Sequence, residues 1–231
     1  MTQNAPNHHV HNSAPETAET APLMIPPSAE MLSRLETRRS APLRGLVEPG
    51  PNPEELRRML TLATRVPDHG RLTPWRFIVV QGEARRTLGA RLDALYALQN
   101  PDLPASKQDM WTLYLLRAPL TAILVSRPDP SAKVPEWNQV LSAGAAGMAF
   151  TTAAAALGFS TQWLLKWLGR DPEAAALLGV TTGEKVAGFL HVGRPVRLGE
   201  DRPRPALEDV VTYWSPEQAC EEPPTHPNAT A

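Results

Sequence analysis

Four groups of residues in this chain combine types and spacings that can do chemistry. The run Arg65-Val66-Pro67-Asp68-His69-Gly70-Arg71 puts two guanidinium groups, a carboxylate and an imidazole in one loop. It lies between a helical pattern that stops at Pro67 and an apolar strand behind Pro74. Loops held by rigid elements are where binding and catalysis concentrate. Arg65 could stabilise negative charge on a ring system, and His69 could donate to a carbonyl or phosphate; a helix-terminal arginine beside a surface histidine would look the same. Arg38-Arg39-Ser40 joins two planar, bidentate donors to a hydroxyl, a donor set suited to phosphate. The same arginines would also complement the negative end of the helix they follow. Trp163-Leu164-Leu165-Lys166 sets one cation in an apolar run, which core packing with a snorkelling lysine would equally produce. Arg202 and Arg204 lie in a proline-rich arm that could fold over a phosphate or stay solvated. Together the clusters suggest a site for a phosphorylated, planar group.

The elements that must position these residues follow from periodicity and capping. A first helix is predicted over Ala29 to Arg38, with Met31, Leu32 and Leu35 on one face. A second begins at Asn52: the side chain caps, Pro53 suits the first helical position, and Glu54 and Glu55 favour the positive end of the dipole. Pro67 stops it, lacking an N–H and disfavouring helix at Val66. Trp75 to Val80 reads as a strand, 83–97 and 105–117 as helices, and Leu120 to Ser126 as a second strand. Asn138 to Leu157 reads as one long helix, nearly apolar all round and crowded with Ala and Gly, ending at Gly158; such a helix is buried in a core or a dimer. Short strands are expected at Ser160 to Trp163 and at Lys185 to Val192. A helix opens at Asp171-Pro172-Glu173 by the same cap-proline-acid logic. Arg202 to Trp214 reads as an extended arm, with Val210, Val211, Tyr213 and Trp214 weakly alternating. Helices outnumber strands and no tight hairpin joins them, which indicates an α+β or three-layer α/β fold.

With 231 residues the chain can bury a substantial single core, and a formal net charge of −1 argues against a general nucleic-acid binder. Residues 1–27 are rich in Pro, Ala, Thr, Asn and His and are expected to be a disordered tail, as are 216–231, leaving one folded domain at 28–215. His8, His9 and His11 have no scaffold to orient them on a metal. The single cysteine, Cys220, lies in the polar C-terminal tail, so neither a disulfide within the chain nor a catalytic thiol is expected. No apolar run reaches the length of a membrane span, and Met1 to His11 lacks the basic and apolar regions of a secretory signal. The expectation is a soluble, cytoplasmic protein. No G-x-G-x-x-G follows a strand, and there is no Walker loop, H-E-x-x-H, C-x-x-C or G-x-S-x-G. Only His69 and His191 fall in the folded region, which disfavours a histidine metal site.

Taken in order, the motifs resemble the nitroreductase superfamily of FMN-dependent oxidoreductases, most closely the small bacterial NAD(P)H nitroreductases of the YdjA type. Arg38-Arg39-Ser40, Arg65-Val66-Pro67-Asp68-His69 with Pro74-Trp75, Lys133-Val134-Pro135-Glu136-Trp137, Leu141-Ser142-Ala143-Gly144, Gly158-Phe159, Trp163 and Val186-Ala187-Gly188-Phe189-Leu190 with Gly193 carry the resemblance. It spans roughly residues 30–214. It implies a three-layer α-β-α sandwich of the α+β class that forms an intimate homodimer with two FMN at the interface. By position, it implies that Arg38, Arg39 and Ser40 hold the FMN phosphate and ribityl. Arg65 and His69 would reach FMN from the other subunit. Trp163, Leu164 and Leu165 would lie along the flavin, and Arg204 would bind phosphate from the arm. It also implies that Ala153, Ala154, Ala155, Ala156, Leu157 and Gly158 contact the pyridine nucleotide. Here the chain departs from its relatives, which carry Trp-Arg-Ser; Leu164 and Leu165 remove two polar groups, and Lys166 is the candidate to compensate.

The implied reaction is a ping-pong transfer of hydride from NAD(P)H through FMN to a nitroaromatic, quinone or similar acceptor. The flavin carries the chemistry, and Arg65 or Lys166 would stabilise its reduced, anionic form. Two other readings stay open on the sequence. One is a specialised flavin enzyme of the same fold that dehydrogenates, dehalogenates or fragments the flavin. The other is a non-catalytic dimeric flavin-binding protein, to which the Leu164-Leu165 change points.

Overall fold

A computed structural model describes residues 25–197 and 199–215. The expectations for the tails, for His8, His9 and His11 and for Cys220 therefore lie outside the described residues, save that Ile25 to Pro27 are exposed and in no element. By its internal contacts the chain divides after Thr37. In the first unit, α1 (Ala29–Thr37) ends one residue before the predicted stop and buries none of its residues.

The second unit is built on five strands: β1 (Leu46–Val47), β2 (Trp75–Gln81), β3 (Leu120–Ser126), β4 (Ser160–Leu164) and β5 (Lys185–Pro195). All pairings are antiparallel; β5 pairs with β3, β4 and β1, and β2 pairs with the far side of β3. Side chains on a strand alternate between faces, and the two faces carry two apolar clusters. Ile123, Val125 and Phe189 join Leu92 of α3 (Ala84–Gln99), Trp111, Tyr114 and Leu115 of α4 (Met110–Leu116), and Ala174 of α6 (Pro172–Leu177). Ala122, Leu124, Leu190 and Val192 join Met59 and Ala63 of α2 (Pro53–Ala63) and Ala143, Ala146 and Phe150 of α5 (Glu136–Ala156). This is the expected three-layer α-β-α sandwich of the α+β class.

The predicted cap of α2 is present in full. Asn52 accepts from the Glu54 and Glu55 amides, and Glu55 returns the bond to the Asn52 amide. The helix expected over 105–117 is instead a 3₁₀ turn at Ala105–Lys107 followed by α4. Its start is set from another helix: the buried Asp93 carboxylate accepts from the amides of Trp111 at 2.7 Å and Thr112 at 3.0 Å. β1 is too short to leave a periodic signal. The C-terminal arm forms no strand, only a 3₁₀ turn at Leu207–Asp209.

Within one chain the long helix α5 is buried on one side only. Gln139, Ser142, Ala146, Phe150 and Thr151 face the protein, yet Trp137, Leu141 and Met148 are 68%, 53% and 42% exposed on the opposite face. One face of a helix can rest on one sheet, and the second apolar face is left over. No helix among the described residues is long and apolar enough to cross a membrane.

Candidate functional site

The segment Arg38-Arg39-Ser40 is pinned at the start of β4. Ser160 donates its hydroxyl hydrogen to the Arg39 carbonyl at 3.2 Å and accepts from the Ala41 amide at 3.2 Å, in a buried position. Two residues on, and on the same face by strand alternation, Gln162 meets the arginines. Arg38, Arg39, Ser40, Gln162, Glu200, Arg202 and Arg204 together line a cavity of about 300 Å³.

Charge in this cavity is unbalanced. Burial, then the neighbouring charges of Arg204, Arg39 and Arg202, lower the Arg38 pKa. Four guanidinium groups converge there, against Asp201 and Glu200. Arg39 donates to the Asp201 carboxylate and, at 3.1 Å, to the Glu200 carbonyl, and Arg204 lies 3.8 Å from Asp201. Arg38 and Arg202 have no hydrogen-bond or ion-pair partner among the described residues. A site with this many unpaired, fork-shaped donors is made for a dianion.

Arg65 and His69 are not brought to this cavity within the chain. They stand exposed on the loop between α2 and β2, without side-chain partners among the described residues. The loop is nonetheless tightly specified. Asp68 accepts from the Leu72 and Thr73 amides, each at 3.0 Å, and the Ser142 hydroxyl donates to the Pro67 carbonyl. These bonds hold Arg71 and Thr73 at φ 54° and 48°, a left-handed conformation that is costly for a β-branched residue.

The run at 163–166 is divided. The Trp163 indole donates to the Ala187 carbonyl at 3.1 Å and covers Gly147 and Gly188, where a Cβ would collide with its ring. Leu164 packs against the cluster under α3 and α4, and Leu165 is partly exposed beside Gly169. Lys166 lines a different cavity, with Trp111, Tyr114 and Arg117, and not the one at Arg38.

The stretch Ala153 to Gly158 is divided between buried and accessible residues. Ala153 and Ala154 are 4% and 0% exposed and belong to the cluster under α5, so their side chains offer nothing to a nucleotide. Gly158, at φ 78°, ends the helix turn, and Arg194 meets it there, donating to the carbonyls of Leu157 at 3.2 Å and Gly158 at 2.8 Å. The same guanidinium lies 3.8 Å over the Phe159 ring. A helix C-terminus so capped presents carbonyls, not donors, to an anion. Only Ala155 to Gly158 have any surface to offer.

Sequence reasoning missed Ser160, Gln162 and Asp201. The first two had a signal in the alternation of β4; Asp201 had none, because only the folded arm brings it to Arg39. Among the described residues no group of three or more His, Cys, Asp or Glu could hold a metal.

Comparison with known proteins bears on this geometry. The profile described as "Nitroreductase family" matches residues 35–194. The Escherichia coli protein named "Putative NAD(P)H nitroreductase YdjA" is 36% identical over 186 residues, covering 80% of this chain and 100% of its own. A Haemophilus influenzae protein named "Putative NAD(P)H nitroreductase" is 35% identical over 187 residues, covering 80% of this chain and 99% of its own. Among solved structures, a nitroreductase-like family protein from Bacillus cereus superposes with a TM-score of 0.70 at 20% identity, covering 83% of this chain and 99% of that one. A Bacteroides fragilis nitroreductase with bound FMN gives 0.60 at 21% identity, covering 81% and 100%. These two likenesses show the fold.

Proposed function

Because the chain belongs to the nitroreductase family, we propose that it is an FMN-dependent oxidoreductase that passes hydride from NAD(P)H to a nitroaromatic, quinone or similar acceptor. The observation that carries this reading is the arginine cavity, in which Arg38 and Arg202 lack partners beside Arg39, Arg204 and Ser40.

The residues fit the group. Arg38, Arg39, Arg202 and Arg204 would hold the FMN phosphate, and the Ser40 hydroxyl and Gln162 amide would serve the ribityl hydroxyls. FMN, when bound, supplies two-electron hydride chemistry. The chain's own residues bind and orient it, and no acid, base or nucleophile has to be built, in accord with the lack of any catalytic constellation in the sequence. Were donor and acceptor to occupy the same site beside the bound FMN in turn, the kinetics would be ping-pong. The working form is a cytoplasmic homodimer. The exposed face of α5 (Trp137, Leu141, Met148) and the exposed Val210, Val211, Tyr213 and Trp214 of the arm supply apolar surface for a second copy. Arg65 and His69, on a tightly specified loop and without side-chain partners among the described residues, then serve the partner's flavin.

The test is the visible spectrum of the purified protein, followed by anaerobic NAD(P)H. Flavin bands that bleach on addition are expected. Bands that persist would replace the reductase with a specialised flavin enzyme, and a colourless protein that FMN does not reconstitute would end the oxidoreductase reading.

A further inference from the structure

The second cavity, of about 310 Å³, is lined by Ser106, Asp109, Met110, Trp111, Leu113, Tyr114, Arg117 and Lys166. It lies where α4 and the end of β4 meet, and it shares no lining residue with the arginine cavity. We propose that it is a binding site for a small aromatic carboxylate.

The walls argue for the ring. Trp111 and Tyr114 are each 5% exposed and sit edge to face, with centroids 5.8 Å apart; Met110 and Leu113 add soft apolar surface. The wall is preformed. Trp111 stacks on Trp167 at 5.2 Å, and its helix is anchored by Asp93 through the Trp111 and Thr112 amides. Tyr114 is fixed by a buried chain: its hydroxyl is 2.8 Å from His191 Nε2, and His191 Nδ1 is 2.9 Å from the Thr121 hydroxyl. Rigid aromatic walls with a few fixed polar groups are the usual form of a small-molecule pocket.

The charges argue for the carboxylate. Arg117 and Lys166 both reach the cavity, and neither has a hydrogen-bond or ion-pair partner among the described residues. Asp109 is the one acid in the lining, and it pairs with neither. Arg117 presents the planar fork that matches a carboxylate, and Lys166 adds a point charge. The volume accommodates one ring with one acid group, about nine heavy atoms.

Benzoate is the probe, since it cannot be reduced and its binding does not depend on turnover. Calorimetric titration of the flavin-loaded protein is expected to show one saturable site per chain. Arg117→Gln, an exposed substitution, weakens benzoate by about tenfold or more, and Arg117→Lys recovers part of the loss. Benzamide, isosteric but neutral, binds no better to the wild type than to Arg117→Gln. The flavin spectrum stays unchanged throughout. Benzoate binding that is indifferent to Arg117→Gln, or that shifts the flavin bands, would overturn the assignment by placing the ligand at the flavin. Inorganic phosphate that binds at Arg117 while benzoate does not would overturn the aromatic half of it. None of these outcomes touches the bleaching test of the oxidoreductase reading.

Discussion

Two substitutions in the arginine cavity should move FMN affinity in opposite directions. Arg38 has no partner among the described residues and is crowded by Arg204, Arg39 and Arg202, so an incoming phosphate gains its full set of donors without breaking any bond. A charge-assisted hydrogen bond contributes about 1.5–3 kcal/mol, so Arg38→Gln should weaken FMN by roughly 10- to 150-fold. Asp201 acts in the other direction. Its carboxylate is bound to Arg39 and lies 3.8 Å from Arg204, the position of an internal competitor for the anion. It is 70% exposed, and Arg204 stands only at the edge of pairing distance, so what it must give up is worth about 0.2–1 kcal/mol in total. Asp201→Asn should therefore tighten FMN by a few-fold, up to roughly fivefold. The assay is quenching of flavin fluorescence on titration into stripped protein, with FMN and riboflavin side by side. Riboflavin lacks the phosphate and should be indifferent to both changes. Equal losses for FMN and riboflavin in Arg38→Gln, or weaker FMN binding in Asp201→Asn, would refute the phosphate assignment of the cavity.

Other consequences are as direct. Ser160→Ala leaves the buried Ala41 amide without its partner and should cost about 1–3 kcal/mol in urea unfolding, together with FMN affinity; loss of stability alone would deny Ser160 its bracing of Arg38 to Ser40. Burial holds the His191 pKa down to about 3 from 6.5. The unfolded chain therefore binds the extra proton, and stability is complete above about pH 6.5 and lost as pH falls toward 3, by about 1.3 kcal/mol between pH 7 and pH 5.5. His191→Gln should abolish that part of the slope, and an unchanged slope would mean that His191 is not held neutral. Hydrogen bonds from Arg76 hold Glu184 down to about 2 from 4.5, so its contribution is present above about pH 4.5 and fades toward pH 2. Allowing for the partly solvated Arg76, Glu184→Gln should cost about 1–2 kcal/mol at neutral pH and nothing at pH 2. Leu141→Asp on the exposed face of α5 should yield a monomer by light scattering and release flavin; a dimer that keeps its flavin would put the interface elsewhere.

Much of this fold was legible because its signals are local. Asn52-Pro53-Glu54-Glu55 announces α2 by caps alone, and the short, nearly continuous apolar runs of Leu120 to Ser126 and Lys185 to Val192 give the central strands, buried on both faces. What could not be read is what depends on distant partners. α4 begins where Asp93, on another helix, reaches two amides, and nothing within 105–117 marks that point. The arginines of 38–39 and 202–204 were readable as phosphate donors by type, yet their meeting needed Ser160 and the folding of the arm. Ala153 and Ala154 show the converse. Position within a motif suggested a nucleotide contact, but on an α-helix adjacent residues face different ways, and these two face the core.

The features a single chain leaves unexplained share one solution. α5 has a second apolar face, centred on Leu141 and Met148, that stays exposed among the described residues. The loop at 65–73 carries strain at Thr73 and two groups, Arg65 and His69, whose side chains have no partner among the described residues. Strain is retained where the surroundings over-determine a conformation, and the bonds from Asp68 and Ser142 do so here. Ser142 makes the connection physical. It is one residue from Leu141 on α5, and its hydroxyl holds the Pro67 carbonyl of the loop. A second copy seated on the Leu141 face would therefore meet a loop already locked in register with that face. On that argument Ser142→Ala should leave the dimer intact while loosening the loop. The expected result is a slower kcat and faster hydrogen exchange over 65–73, with FMN phosphate affinity, set at the Arg38 cavity, unchanged; loop exchange equal to wild type would break the proposed link between interface and site.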